Sequence, residues 1–229
     1  MYEQHYPEPG EAIAQHTTTI DMPFLKEDFP ATLQSLQTGA DRILTIVSSL
    51  KTFSHIDESE QKSVDIHQGI DSTLVILHSQ FRATDTMAEI QIIKQYGQIP
   101  YVDCYPGQLN QVFMNLLSNA ADALHDANAE NPDLKPQITI CTTSENSHQV
   151  KITIADNGPG IPHEIQPRLF DPFFTTKPVG KGTGLGLSIS FQIITERHGG
   201  SLKCISEPGI GTQFVIILPL QHLTDCPKF

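Results

Sequence analysis

The 229-residue sequence has no long apolar run, few cysteines and little positive charge, and each shortage excludes something. No window approaches the ~18 uninterrupted apolar residues that a membrane-spanning helix needs, so no membrane segment is expected. The start, Met1 to Pro7, has neither a basic cluster nor an apolar stretch and does not read as a secretory signal. A cytoplasmic setting is therefore expected. Cys104, Cys141, Cys204 and Cys226 are scattered and form no C-x-x-C pair, so zinc or redox spacing is absent and reduced structural thiols are expected. Lys and Arg number 14 against 26 Asp and Glu, a formal charge of −12. A nucleic-acid surface needs clustered basic residues, so no nucleic-acid partner is expected. By the same balance, backbone amides and a metal ion would have to neutralise any bound polyphosphate.

What is present is ordinary globular material, 38% hydrophobic and 17% charged, long enough for one substantial core and a smaller attached element. Residues 1–30 are rich in Pro, Thr and acidic residues without a sustained period, and read as a loop or linker. Leu33, Leu36, Ala40, Ile43, Val47 and Leu50 then recur at alternating three- and four-residue steps, a seam along a helix over 31–55. Such a seam suits packing on another helix, though a helix lying on its own domain would show it too. From about 64 the texture is mixed α/β. Helices are expected over 66–81, 108–127 and 185–198, with Ile70, Leu74, Leu77 and Phe81 inward in the first. Strands are expected over 90–93, 102–104, 202–205 and 214–218, and around Ile138/Ile140 and Val150/Ile152/Ile154.

Three pieces carry chemistry. Helix 108–127 sets an apolar stripe, Leu109 to Leu124, against a polar one of Gln108, Gln111, Asn115, Asn119 and Asp122. Asn is a mediocre helix former because its amide competes with the backbone. Two of them one turn apart can offer carbonyl oxygens to a hard cation such as Mg²⁺, although a solvated polar face would look the same. The strand ending at Asp156 runs into Asn157-Gly158-Pro159-Gly160, where a carboxylate beside glycines lets a flat ligand approach the backbone. Asp156 could accept from an exocyclic amine such as adenine N6, and an Asx turn is the plainer alternative. Gly180-Lys181-Gly182-Thr183-Gly184-Leu185-Gly186-Leu187-Ser188 opens a helix, and its free amides form an anion cradle. It is not a Walker loop, since Gly-Lys is followed by Gly182, nor a dinucleotide fingerprint, since no strand precedes it. Between the last two pieces, Phe170-Asp171-Pro172-Phe173-Phe174-Thr175-Thr176-Lys177 has the aromatics to anchor a lid. Gly209-Ile210-Gly211-Thr212 then brings a hydroxyl to the head of the last strand.

Taken in order, N-x-x-x-N-A, D-x-G-x-G, F-D-P-F-F, G-T-G-L-G-L and G-x-G-T resemble the motifs of the histidine kinase catalytic domain. The resemblance spans about 64–221, with 222–229 left as a tail. It implies an α+β fold, a two-layer sandwich of a mixed sheet covered by helices, shared with DNA gyrase, MutL and the heat-shock chaperone ATPases. It further implies ATP and Mg²⁺ as cofactors. Asn119 resembles the metal ligand, Asn115 and Asp122 its neighbours near the phosphates, and Asp156 the adenine-reading aspartate with Thr212 beside it. Gly158 and Gly160 belong to the adenine loop. Gly182, Thr183, Gly184, Leu185, Gly186 and Leu187 match the phosphate loop, and Lys177 sits in the lid.

Hydrolytic relatives carry a Glu where this chain has Asn115, an amide that cannot act as a general base. Transfer to a histidine is therefore favoured over ATP hydrolysis, with a non-catalytic nucleotide-binding module as the further alternative. Residues 31–60 resemble the second helix of a dimerisation and phosphotransfer hairpin, which implies a possible homodimer through 31–55. The first helix, bearing the phosphoacceptor histidine in an H-E/D-x-x-N/R-P setting, would precede residue 1. A response regulator receiver domain would be the downstream partner. His163-Glu164-Ile165-Gln166-Pro167 imitates that motif only superficially, and His55 reads as a surface residue.

Overall fold

The computed structural model describes residues 10–22, 24, 26, 28–30, 32, 33, 36, 37, 60–83, 88–145, 148–177 and 184–220. Two units are distinguished, Met1–Ser48 and Ser49–Phe229. In the first, the stretch expected to be a linker contains a helix, α1 (Glu11–Thr19), and the described positions from 22 to 37 are helical as well. The sequence hid α1 because it ends in three threonines, whose branched side chains lower helix propensity. Here the Thr19 hydroxyl instead donates back to the Gln15 carbonyl at 2.8 Å. Leu33 and Leu36, which begin the seam, are exposed. Ala40, Ile43, Val47, Leu50 and His55 lie outside the described residues, as does the 222–229 tail.

The second unit is built on a five-stranded sheet in the order β2-β4-β5-β7-β6. Its strands are β2 (Gln91–Tyr96), β4 (Gln137–Glu145), β5 (Gln149–Asp156), β6 (Ser201–Glu207) and β7 (Gly211–Pro219). β2 runs parallel to β4 and every other pairing is antiparallel, so the sheet is mixed, as expected. A short pair, β1 (Lys62–Val64) with β3 (Val102–Cys104), stands apart. β1 had no sequence signal, being three residues long with one half-buried side chain.

Alternation sets the buried face. Ile140, Ile154 and Phe214 stand in one cross-strand row and Leu202, Ile216 and Ile152 in another, all buried. Over them lie α2 (Ile66–Phe81), α3 (Pro106–Glu130) and α4 (Gly186–Gln192). α2 starts where the Asp65 carboxylate accepts from the His67 amide at 2.9 Å. α3 begins at Pro106, whose ring suits a first helical turn. Ile70, Leu74, Leu77 and Phe81 of α2 are buried as expected, and Leu109, Val112, Phe113, Leu116, Leu117 and Leu124 of α3 face them and the sheet.

The last helix departs from expectation. α4 is regular only to Gln192 and continues as a π-turn over Ile193–Arg197. The wider turn lets the buried His198 ring engage the Ile193 carbonyl through Nδ1 at 2.8 Å, while its Nε2 accepts from the Tyr105 amide at 3.0 Å. An N–H donor at Nε2 requires the tautomer protonated on Nδ1. One imidazole thus joins the end of the α4 segment to the residue that opens α3.

Truncating the fully buried Leu116 to Ala should lower unfolding stability by about 2–5 kcal/mol through lost transfer energy and a residual cavity. A urea midpoint shift with unchanged m-value checks this.

Candidate functional site

β5 and β7 bring together two residues separated by 56 positions. Asp156, the last residue of β5, is paired in register with Thr212, the second of β7. One Asp156 carboxylate oxygen accepts from the Gly158 amide at 2.9 Å, and the carboxylate also accepts from the Thr212 amide. Burial raises its pKa above the ordinary aspartate value, and these two amides oppose the rise only in part. Cys204 on β6 senses the same charge: burial first, then Asp156, push its thiol up to about 11.

Two glycines allow the backbones to meet here. At Gly160 (φ +71) a Cβ would stand 2.2 Å from the Glu207 carbonyl oxygen, and at Gly211 (φ +142) one would stand 2.1 Å from that of Asp156. Side chains are excluded at both for sterics and for backbone conformation. Asn157 braces the opposite side, its Oδ1 accepting from the Gln137 amide at 2.8 Å and its Nδ2 donating to the Lys135 carbonyl at 2.9 Å.

Asn119 and Asp122, on the polar stripe of α3, face Lys177. Lys177 donates to Asp122 Oδ2 at 2.5 Å and to Asn119 Oδ1 at 3.3 Å. Two oxygen donors one helical turn apart thus converge on one cationic group, which suits a hard divalent cation in place of the ammonium. Among the described residues no cluster of three His, Cys, Asp or Glu could cage a metal. A cation at Asn119 would therefore draw its remaining ligands from phosphate oxygens and water. Lys177 and Asp122 are both substantially exposed, and such a pair is worth little in water, so the lid lysine is easily exchanged.

Asn115, one turn earlier, points to the start of α4. Its Nδ2 donates to the Gly186 carbonyl at 3.0 Å and the Ser190 hydroxyl at 3.2 Å. A Cβ on Gly186 would reach the Asn115 side chain at 3.5 Å. Leu185 caps α4, and Leu187 packs half-buried on the core. Gly184 (φ +65) lies so close to Phe173 that a Cβ would stand 2.4 Å from that residue's carbonyl carbon. Phe173 itself adopts φ +67 and is 74% exposed, a backbone strain of the kind that collects at ligand-handling loops. The expected aromatic anchorage is thus only partial. Phe170 packs on Phe191 and the core, whereas Phe174 lies under the Arg168 guanidinium at 4.7 Å. Gly182 and Thr183 lie outside the described residues.

Sequence reasoning passed over two residues of the site. Ser206 on β6 accepts from the Ile161 amide at 2.8 Å and donates to the Gly211 carbonyl at 2.9 Å. The Gln166 amide straps the Ile161 and Ser206 carbonyls at 2.7 and 3.0 Å. Neither belongs to a motif, and only pairing across 40 or more positions reveals them.

A mixed sheet roofed by helices, a half-buried carboxylate at one strand end and an asparagine tied to a glycine-opened helix define a nucleotide-binding α/β sandwich. Residues 104–222 match the family described as histidine kinase-, DNA gyrase B- and HSP90-like ATPase. The chain belongs to that family. Over 78% of its length it is 34% identical to the sensory histidine kinase/phosphatase NtrB of Rhizobium leguminosarum bv. phaseoli, of which it spans 46%. It is 33% identical over 79% of its length to the signal transduction histidine-protein kinase AtoS of Escherichia coli, of which it spans 27%. Among solved structures it is similar to the catalytic domain of histidine kinase ThkA, with a TM-score of 0.59 and 27% identity, covering 70% of this chain and 96% of that one. The chain thus spans less than half the length of these curated relatives.

Burial raises the Asp156 pKa in the folded state, so ionisation opposes folding as pH rises through the raised value. Asp156→Asn should therefore hold or raise the melting temperature near neutral pH, with any gain fading in acid, where wild-type Asp156 is protonated. The same variant should lose ATP-dependent thermal stabilisation. Thermal melts across pH, with and without Mg-ATP, read both effects.

Proposed function

We propose that this chain binds Mg-ATP and donates the γ-phosphate to a histidine on a helical hairpin, in two-component signal transduction. The observation that carries the reading is Asn115. At the position where water activation calls for a carboxylate, this chain has an amide whose nitrogen is committed to Gly186 and Ser190. An amide cannot take a proton from water, so hydrolysis lacks its base, while transfer to an imidazole needs none from this position.

In this reading Asp156 receives the adenine amine, with Gly158 and Gly160 allowing close approach of the ring. Asn119 holds Mg²⁺, with Asp122 behind it. Magnesium would supply most of the charge neutralisation at the phosphates, in a chain whose net charge is −12. Lys177 leaves Asp122 for the phosphates as the lid closes, and the amides of Gly184 to Leu187 at the start of α4 cradle the triphosphate. Catalysis is then positioning and electrostatic stabilisation of an in-line transfer. The acceptor histidine lies on a hairpin helix for which 31–55 would be the partner, in a homodimer. A receiver domain takes the phosphoryl group onward in the cytoplasm, where ATP is supplied.

Mixing the chain with Mg-ATP and a separately produced hairpin bearing an H-E/D-x-x-N/R-P helix should yield acid-labile phosphohistidine on the hairpin. Asn119→Ala should slow the transfer by about 100-fold. ATP binding without transfer would support the non-catalytic reading. Steady phosphate release without the hairpin would return the hydrolase reading.

A further inference from the structure

The Ser206 hydroxyl sits in a completely determined hydrogen-bond environment. Three partners surround its oxygen: the Ile161 amide at 2.8 Å, the Gly211 carbonyl at 2.9 Å and the Thr212 hydroxyl at 3.0 Å. A hydroxyl has one hydrogen to give and two lone pairs to receive. The Ile161 N–H can only donate, so it occupies one lone pair. The Gly211 carbonyl can only accept, so it takes the single Ser206 hydrogen. The contact with Thr212 then has to be made by the Thr212 hydrogen, on the second lone pair of Ser206. Ser206 and Thr212 are both nearly buried, so water does not readily scramble this order. The Gln166 strap on the Ile161 and Ser206 carbonyls holds the same corner.

The consequence falls on Thr212. With its hydrogen turned toward Ser206, its oxygen can only accept. Thr212 is the register partner of Asp156, whose carboxylate is held by the Gly158 and Thr212 amides and also presents acceptors. The end of the β5–β7 pair is thereby an acceptor-only surface.

We infer that Ser206 is a specificity-determining positioning residue that makes Thr212 an obligate acceptor, so that the site takes a 6-amino purine and rejects a 6-oxo purine. The inference rests on the proposed nucleotide reading and deepens it. Without Ser206, the Thr212 hydroxyl is free to rotate and donate to a 6-oxo group. A neutral rotor would discriminate poorly, whereas a fixed acceptor turns the wrong base into a buried lone-pair repulsion.

The test compares the dissociation constants of Mg-ATP and Mg-ITP, measured by calorimetry on the full chain. Inosine triphosphate keeps the ring, ribose and phosphates but places an acceptor where ATP has its 6-amino donor. Wild type should prefer ATP by at least about 100-fold, and Ser206→Ala should cut that ratio about tenfold, with ITP binding held or improved. A purely structural role would weaken both nucleotides in equal proportion, and that result overturns the inference. Ser206→Ala also strands the Ile161 amide, so Thr212→Val, close in shape and lacking the hydroxyl, serves if the first variant does not fold. It should weaken ATP while leaving ITP unchanged or better; equal loss, or no change, overturns the inference. A wild-type chain that binds neither nucleotide overturns the nucleotide reading and the inference with it. One that binds ATP, loses it with Asp156→Asn and keeps its ratio in Ser206→Ala overturns the inference alone.

Discussion

The antiparallel pairing of β5 with β7 is the constraint on which the rest of the site depends. It sets Asp156 opposite Thr212, and it brings the loop after β5 against the turn before β7 at less than a side chain's breadth. Gly160 and Gly211 are the residues that permit this contact, and Ser206 and Gln166 hold it closed. With that corner fixed, a flat ring can lie against the backbone beside a carboxylate whose orientation is already set by two amides. The cost is a half-buried charge with incomplete compensation, visible as the raised pKa of Asp156. Stability is given up there for recognition, a common exchange at binding sites.

The other half of the site is organised differently. α3 is the platform, its apolar stripe sunk in the core and its Asn119 and Asp122 turned to Lys177. Asn115 ties this platform to the start of α4 through the Gly186 carbonyl and the Ser190 hydroxyl. Asn119 and Asp122 instead meet Lys177, through a partly exposed pair of the kind that contributes little in water. In the proposed reading, the base is held at the β5–β7 corner while the phosphates meet the more exposed Lys177 pair.

Much of the fold was legible because long elements carry a strong period. The inward set of α2 and the alternating isoleucines of β4 and β5 appear in the structure as the spacing implies. α1 was not legible, because threonines at its end are poor helix formers, and the Thr19 hydroxyl turns back onto the Gln15 carbonyl only once the helix is formed. β1 is too short to carry a period. The π-turn after α4 depends on His198 finding a partner in Tyr105, 93 residues away, which no local pattern announces.

The site divides along the same line. Asparagines at helical spacing, a carboxylate before glycines and glycines before a helix are local statements, and the sequence alone determined them together with the family they imply. Which partners those groups meet was decided by tertiary structure. Asn115 faces the α4 start and not the lid, Lys177 rests on Asp122, and the Thr212 hydroxyl meets that of Ser206. The physical reason is that a motif specifies donors and acceptors, whereas the direction of each hydrogen bond is set by the groups that pairing across the sheet brings within reach.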